Sequence, residues 1–308
     1  MKLFRFHSQN LRVVLFPADY TDFRMSFMRN PSVFRKFLYL ASNSTIIKKN
    51  KYVIITGGAS GLGREFAKLY AEEGYSLILV DINENLLHET AEEIRSGQDV
   101  DIQTLVKDLS ISSSSQEIYD YTVAHNLDVF GLINNAGFGV YGNFSETDLK
   151  AELNMAGVHV LAPIALTKLF LKGMLEQGEG EILNVSSLAG FQPGPLMSVY
   201  YSTKAFLISF TEAIARENKG SNVKISVLCP GVVNTNFRKN VAANKEAKIK
   251  SMNSDPRQVA HYGIRKMRRG KIICLPSVSC KFLAFLPRIV PRSTARNIVY
   301  NIQVKNRG

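Results

Sequence analysis

Thr56-Gly-Gly-Ala-Ser-Gly-Leu-Gly63 restricts the folds open to this 308-residue chain more than any other segment. The apolar run Tyr52-Val-Ile-Ile-Thr56 precedes it and reads as a buried strand. A helical pattern from Arg64 to Glu73 follows it, ended by Gly74. Strand, glycine turn and helix in that order leave free N–H groups and positive potential at the helix start, where a phosphate can bind. Glycines let the backbone turn tightly and approach a pyrophosphate. Gly57, Gly61 and Gly63 carry the turn, with Thr56, Ser60 and Leu62 completing the loop.

The same alternation then repeats. Strands are expected at Ser76–Val80, Asp101–Val106, Val129–Asn134, Glu181–Val185, Val223–Cys229 and Lys271–Leu275. Helices are expected at Asn83–Ser96, Ser112–His125, Ser198–Asn218 and Pro256–Arg269. A long helix at Glu146–Glu176 is expected to kink at Pro163. Asn236–Met252 is polar and basic and reads as a mobile helical lid. The pattern implies an α/β fold: one Rossmann-type, doubly wound parallel sheet of about seven strands with helices on both faces. Residues 1–50 form a basic, aromatic extension in which Val33–Ile47 reads as an amphipathic helix. Residues 51–276 form the domain, and residues 277–308 a basic, apolar tail.

Asp81 ends the second strand. A carboxylate there can accept hydrogen bonds from both ribose hydroxyls of an adenosine and repels a 2′-phosphate, which favours NAD over NADP. Arg64 lies close enough in sequence to accommodate a phosphate, so NADP stays possible. The alternative role for Asp81 is capping the next helix.

A second stretch carries reactive groups. Ser187 lies at the mouth of the fifth expected strand, and Tyr200 and Lys204 lie one turn apart on a helix face. An ammonium beside a phenol favours phenolate, whose ordinary pKa is about 10. Tyr200 can then act as a general acid/base, with Ser187 donating to a carbonyl oxygen. Taken alone, Tyr-x-x-x-Lys also fits a surface helix with no role. Tyr201 stands at the wrong distance from Lys204.

Charge is unevenly spread over a net +12. Residues 1–51 carry ten Lys/Arg against two Asp/Glu, and residues 237–308 seventeen against two. Residues 52–236 carry eleven against twenty-two. An acidic centre between basic flanks points to an anionic membrane surface or acidic substrate, or else to a merely solvated basic surface. No nucleic-acid motif accompanies the charge. Cys229, Cys274 and Cys280 show no metal or redox spacing and fit a reducing compartment. The N-terminus lacks the regions of a signal peptide, and no uninterrupted apolar run reaches the length of a spanning helix. A cytoplasmic protein with peripheral membrane association is the expectation.

In combination, these motifs resemble the short-chain dehydrogenase/reductase family over roughly residues 51–275. The likeness rests on Thr56–Gly63, Asp108, Asn134-Asn-Ala-Gly137, Ser187, Tyr200-x-x-x-Lys204 and Pro230-Gly-Val-Val-Asn-Thr235. It implies that Asp108 contacts the adenine, with Leu109 beside the ring. Asn135, Ala136 and Gly137 would line the cofactor cleft. Lys204 would also hold the nicotinamide ribose, and Pro230, Gly231, Val233 and Thr235 would reach the carboxamide end. Where the family places a relay Asn on the long helix, this chain has His159, which either replaces it or only fills space. The resemblance also implies a homo-oligomer paired through long helices.

The expected function is NAD(P)-dependent interconversion of an alcohol and a ketone on a small apolar substrate. Phe138, Tyr141, Phe191, Pro193, Pro195, Leu196 and Met197 are the candidate pocket. An NADPH-dependent 3-ketoacyl or ketosteroid reductase is one alternative. A dinucleotide-binding membrane-surface sensor without turnover is another, and it leaves the Ser187–Tyr200–Lys204 set without a use.

Overall fold

The structure, a computed structural model, describes residue 48 and residues 50–234 and 254–307. The expected helix at Val33–Ile47, the lid at Asn236–Met252 and Thr235 lie outside the described residues. Seven strands form one parallel sheet in the order β3-β2-β1-β4-β5-β6-β7. They are β1 Lys51–Thr56, β2 Ser76–Asp81, β3 Ile102–Val106, β4 Asp128–Asn134, β5 Gly180–Val185, β6 Val223–Leu228 and β7 Ile273–Cys274. The order reverses between β1 and β4, and a crevice opens at such a switch point beyond the strands' carboxyl ends.

Helices cover both faces because the inner strands are apolar on both. Val53 and Ile55 of β1 face one core, with Phe66, Tyr70 and Leu87. Ile54 between them faces the other, with Ile118, Leu166 and Phe170. This alternation follows from the two-residue period of a strand. The covering helices are α1 Gly61–Glu72, α2 Glu84–Gly97, α3 Ser114–Ala124, α4 Leu149–Ala156, α5 Ala162–Gln177, α6 Ser198–Glu217 and α7 Pro256–Arg268. Asn83, Asp148 and Asp255 cap α2, α4 and α7 by accepting from the N–H groups of Leu86, Ala151 and Gln258. The tail folds into α8 Val278–Phe285 and α9 Arg292–Arg307, with a 3₁₀ turn, Leu286–Arg288, between them.

The expected long helix is present but interrupted one turn earlier than its proline. α4 passes through a π-helical turn, Gly157–Leu161, into α5, where Pro163 occupies the first turn. Proline has no N–H to give to the carbonyl four residues back, and its ring crowds that carbonyl. The carbonyl four residues before Pro163 is that of His159, so the distortion falls on the segment containing His159. An 18-residue window within Leu149–Gln177 has a mean hydropathy of 1.5, apolar enough by length and composition to cross a bilayer. Leu166, Phe170 and Met174 are nevertheless buried against the sheet, as in a core helix.

An ion cluster ties the covering helices to β5. Arg268 donates from Nε to Glu181 Oε1 at 2.6 Å and from Nη1 to Glu73 at 2.7 and 2.8 Å. Tyr70 Oη donates to Glu181 Oε2 at 2.7 Å. Glu181 is buried, so removing its cation strands a carboxylate out of water. Arg268→Ala is expected to lower unfolding free energy by about 3 kcal/mol. A denaturant midpoint equal to that of the unmodified protein would show that the cluster contributes nothing.

Candidate active site

The carboxyl ends of β1 and β4 are locked together by one side chain. Thr56 Oγ1 accepts from the N–H groups of Asn135 at 2.9 Å and Ala136 at 3.0 Å. Asn135 Nδ2 in turn donates to Thr56 O at 3.0 Å and Gly57 O at 3.2 Å. The glycine loop is thereby fixed against the Asn-Asn-Ala-Gly segment. Gly57 and Gly61 have φ of +65° and +55°, which side chains other than glycine tolerate poorly. A Cβ on Gly63 would stand 1.9 Å from Gly57 O, so the helix start approaches the loop as closely as glycine permits. Ser60 precedes α1 in extended conformation with no side-chain cap bond, and Leu62 packs partly buried on the first core.

Asp81 bonds both this loop and the residue that caps the next helix. Its Oδ2 accepts from Ala59 N at 3.1 Å and its Oδ1 from Asn83 N at 3.0 Å, while Asn83 is the cap of α2. Arg64 points into an ion cluster instead, donating through Nε to Glu93 Oε2 at 2.8 Å, and Lys68 meets Glu93 Oε1 at 2.7 Å. Asp108 Oδ1 accepts from Ser110 N at 2.9 Å and Ser110 Oγ at 2.7 Å, which shapes the turn after β3, and Leu109 is buried beside it. Leu188 N donates to Pro230 O at 2.9 Å, and Val233 forms an isolated parallel bridge with Ser254. Gly231 sits where a Cβ would come within 3.4 Å of Leu188. A loop whose glycines leave no space for side chains, with a carboxylate bonded to its backbone, fits a dinucleotide.

The reactive groups stand at the adjoining ends of β5 and α6. Ser187 Oγ accepts from Ala189 N at 3.1 Å, which leaves its own proton to donate. Tyr200 and Lys204 are 9% and 5% exposed on one face of α6. Lys204 Nζ donates to Val185 O at 3.0 Å and stands 5.7 Å from the Tyr200 ring centroid. Burial pulls the Lys204 ammonium down to about 8, with Cys229 opposing the shift.

His159 is buried against the same helix. Its Nε2 accepts from Phe138 N at 3.1 Å, so its proton resides on Nδ1, which donates to Thr203 Oγ1 at 3.0 Å. Thr203 Oγ1 donates to Tyr200 O at 2.9 Å. Burial first, and Lys204 second, push the imidazole well below its ordinary range, so it stays neutral. A Cβ on Gly137 would come within 2.5 Å of Nε2, so Gly137 makes room for this ring. Both ring nitrogens are engaged, and the side chain positions Phe138 and Thr203.

Some site residues were invisible to sequence reasoning. Thr203 lies between Tyr200 and Lys204, with no rule that singles out a threonine there. Gln303, in the tail, donates from Nε2 to Tyr201 Oη at 3.0 Å, and its backbone carbonyl accepts from Tyr141 Oη at 3.4 Å. Asn134 Nδ2 donates to Asn184 Oδ1 at 2.8 Å, and Asn184 Nδ2 to Thr211 Oγ1 at 2.8 Å, a buried polar row that joins β4, β5 and α6. The candidate pocket divides. Phe138, Tyr141 and Met197 pack with Tyr200, whereas Phe191 packs on Ile208, Val227 and Cys229. Phe191 and Pro193 line a cleft of about 300 Å³ with Tyr201 and Pro287.

Glycine cradle, carboxylate and buried Tyr–Lys pair at the switch point of a parallel sheet define a dinucleotide-dependent oxidoreductase. Residues 51–246 match the short chain dehydrogenase family, to which this chain belongs. It is an NAD(P)-dependent oxidoreductase acting on CH–OH groups. The ketoacyl reductase HetN of Nostoc sp. is 34% identical over 224 residues, covering 71% of this chain and 75% of that protein. The very-long-chain 3-oxoacyl-CoA reductase of Mus musculus is 29% identical, covering 68% of each chain. Among solved structures, a short chain dehydrogenase/reductase from Burkholderia phymatum in complex with NAD superposes with a TM-score of 0.69. It is 26% identical, over 77% of this chain and 92% of that one.

The buried ammonium has a measurable cost. The unfolded chain holds the Lys204 proton up to pH 10.5 and the folded chain only to about 8. Between those values the unfolded state binds more protons, so stability rises with pH, and below about 8 the penalty is constant. Lys204→Met is expected to be more stable than the unmodified protein at pH 7, by roughly 1–3 kcal/mol. The advantage should shrink above pH 8, and urea titrations at pH 7 and pH 10 check both parts. A variant less stable at pH 7 would contradict the desolvation argument.

Proposed function

We propose that this protein interconverts an apolar alcohol and its ketone with Tyr200 as general acid/base. The single observation that supports this most strongly is the buried Lys204 ammonium, 5.7 Å from the Tyr200 ring centroid and bonded to the end of β5. A cation there favours the phenolate, which in oxidation takes the alcohol proton. In reduction the phenol returns it to the nascent alkoxide, while Ser187 donates to the carbonyl oxygen. Bound NAD(P) supplies a hydride acceptor in one direction and a hydride donor in the other. Thr56, Gly57, Ser60, Gly61, Leu62 and Gly63 cradle its phosphates. Asp108, Leu109, Asn135, Ala136 and Gly137 line the cleft, and Pro230, Gly231 and Val233 close its nicotinamide end. His159 acts through Thr203 by fixing the turn of α6 that carries Tyr200. Phe138, Tyr141 and Met197, packed with Tyr200, make the substrate wall apolar.

NAD is the preferred cofactor in this reading. Asp81 is pinned to the glycine loop, and the nearest arginine, Arg64, is committed to Glu93. A second reading, an NADPH-dependent 3-ketoacyl or ketosteroid reductase, is favoured by the similarity to the two ketoacyl reductases. Leu149, Leu153 and Leu161 are 70%, 61% and 60% exposed along α4 and the π turn, which suits pairing of two copies through the long helices. Placement in the cytoplasm with peripheral membrane contact completes the proposal, in keeping with three free thiols.

A panel of apolar alcohols and ketones, assayed with NAD(H) and NADP(H), tests the activity. Tyr200→Phe should lower turnover on the best substrate by about 10²–10⁴-fold while leaving cofactor binding in place. Turnover near that of the unmodified enzyme would refute the role of Tyr200. Asp81→Asn keeps an acceptor for Ala59 and removes the charge. It should shift the ratio of NADP to NAD affinity upward by about tenfold, equivalent to about 1.4 kcal/mol. An unmodified enzyme that already prefers NADP would overturn the assignment.

A further inference from the structure

The C-terminal tail carries large apolar side chains on a side that the domain leaves uncovered. In α8, Cys280 and Ala284 are buried one turn apart, whereas Val278, Phe282 and Phe285 are 80%, 62% and 53% exposed. Those three follow an i, i+4, i+7 stripe along the helix. Ile289, just past the 3₁₀ turn, is 66% exposed. In α9 the inward stripe is Ala295, Val299 and Gln303, and Ile298 and Ile302 remain about half exposed on the outer side. A surface that groups so many apolar side chains marks an interaction site.

Charge selects the partner. Lys281, Arg288, Arg292 and Arg296 are interleaved with the exposed apolar residues. Residues 277–308 contain six Lys/Arg and no Asp/Glu. The same face of a second copy would bring like charges together. The other flank, residues 1–51, is basic as well. A bilayer with anionic headgroups satisfies both the apolar stripe and the cations around it.

We propose that α8 and α9 dock on an anionic lipid bilayer. Val278, Phe282, Phe285 and Ile289 enter the interface, and Lys281, Arg288 and Arg296 meet headgroup phosphates. This names the surface behind the peripheral membrane contact proposed above and rests on that reading. The reverse side of the tail faces the catalytic region. Gln303 holds Tyr201, and Pro287, Arg292 and Ala295 wall the 300 Å³ cleft together with Phe191 and Pro193. The docked tail therefore lies against the loop that follows Ser187, and an apolar substrate dissolved in the bilayer is delivered beside the site.

The test is vesicle co-sedimentation of the full chain at low and high salt. Vesicles of phosphatidylcholine with phosphatidylglycerol are compared with phosphatidylcholine alone. The variant Phe282→Ser/Phe285→Ser/Ile289→Ser is run beside the unmodified protein, and its turnover on a water-soluble ketone reports that it is folded. The unmodified protein should sediment with anionic vesicles, and high salt should weaken that binding. The triple variant should bind them at least about tenfold more weakly, with unchanged turnover. If the unmodified protein ignores both vesicle types, the membrane reading falls and the docking surface with it. If both proteins bind anionic vesicles equally, the membrane reading stands and the tail is not the docking surface. A variant that loses subunits in gel filtration while binding vesicles normally overturns the proposal and makes this face a contact between copies.

Discussion

Thr56 Oγ1 joins two strands that are neighbours in the sheet and about eighty residues apart in the chain. By accepting two backbone N–H groups from the segment after β4, it fixes the edge at which strand order reverses. Asn135 returns the tie through two carbonyls of the glycine loop. Those backbone groups would otherwise face a crevice with no partners, and leaving them unpaired costs free energy comparable to a lost hydrogen bond. Because the tie uses up the polar groups of the crevice floor, the glycine loop stays rigid.

The catalytic side is organised around a different cost. A buried ammonium loses hydration that one hydrogen bond to Val185 O only partly replaces, and its lowered pKa measures the shortfall. The fold holds Lys204 there because its neighbours are themselves held. Ser186 Oγ donates to Lys204 O at 2.7 Å, and the Asn134–Asn184–Thr211 row binds α6 to the sheet below it. Stability is lost at a position where the proposed chemistry needs a cation, a pattern common to functional sites.

The π turn and His159 belong to the same arrangement. Pro163 frees the His159 carbonyl, the helix widens over Gly157–Leu161, and the imidazole lies against Gly137. There it accepts from Phe138 and donates to Thr203, so one ring braces the β4 loop against α6. Sequence counting singled out His159 on the long helix, and it lies in the π turn of that helix. Its partners come from two other elements, so its task was legible only in three dimensions. The expected kink at Pro163 had the right cause and lay one turn too late, because proline perturbs the carbonyl behind it.

Much of the chain was legible without coordinates. Strand and helix alternation follows from local periodicity, and Gly57, Gly61, Gly63, Tyr200 and Lys204 stand at spacings that short-range geometry dictates. Asp81 stands out in sequence at the end of β2, but its bond to Ala59, beside the one to Asn83, depends on how β2 lies next to the loop. Phe191 and Pro193 were grouped with Tyr200 because they are close in sequence. The 3₁₀ turn Leu188–Phe191 sets Phe191 on Ile208 and places both residues in the cleft that Tyr201 shares with Pro287 of the tail. Gln303 had no local signal at all: its role exists because α9 folds back a hundred residues to meet Tyr201 and Tyr141. The sequence by itself determined the elements, their order and the reactive groups, since these rest on contacts within one or two turns or strands. Only the tertiary structure decided the protonation of His159 and Lys204, the tie at Thr56 and which side of the tail faces outward. Burial and hydrogen-bond partners drawn from distant segments set those properties.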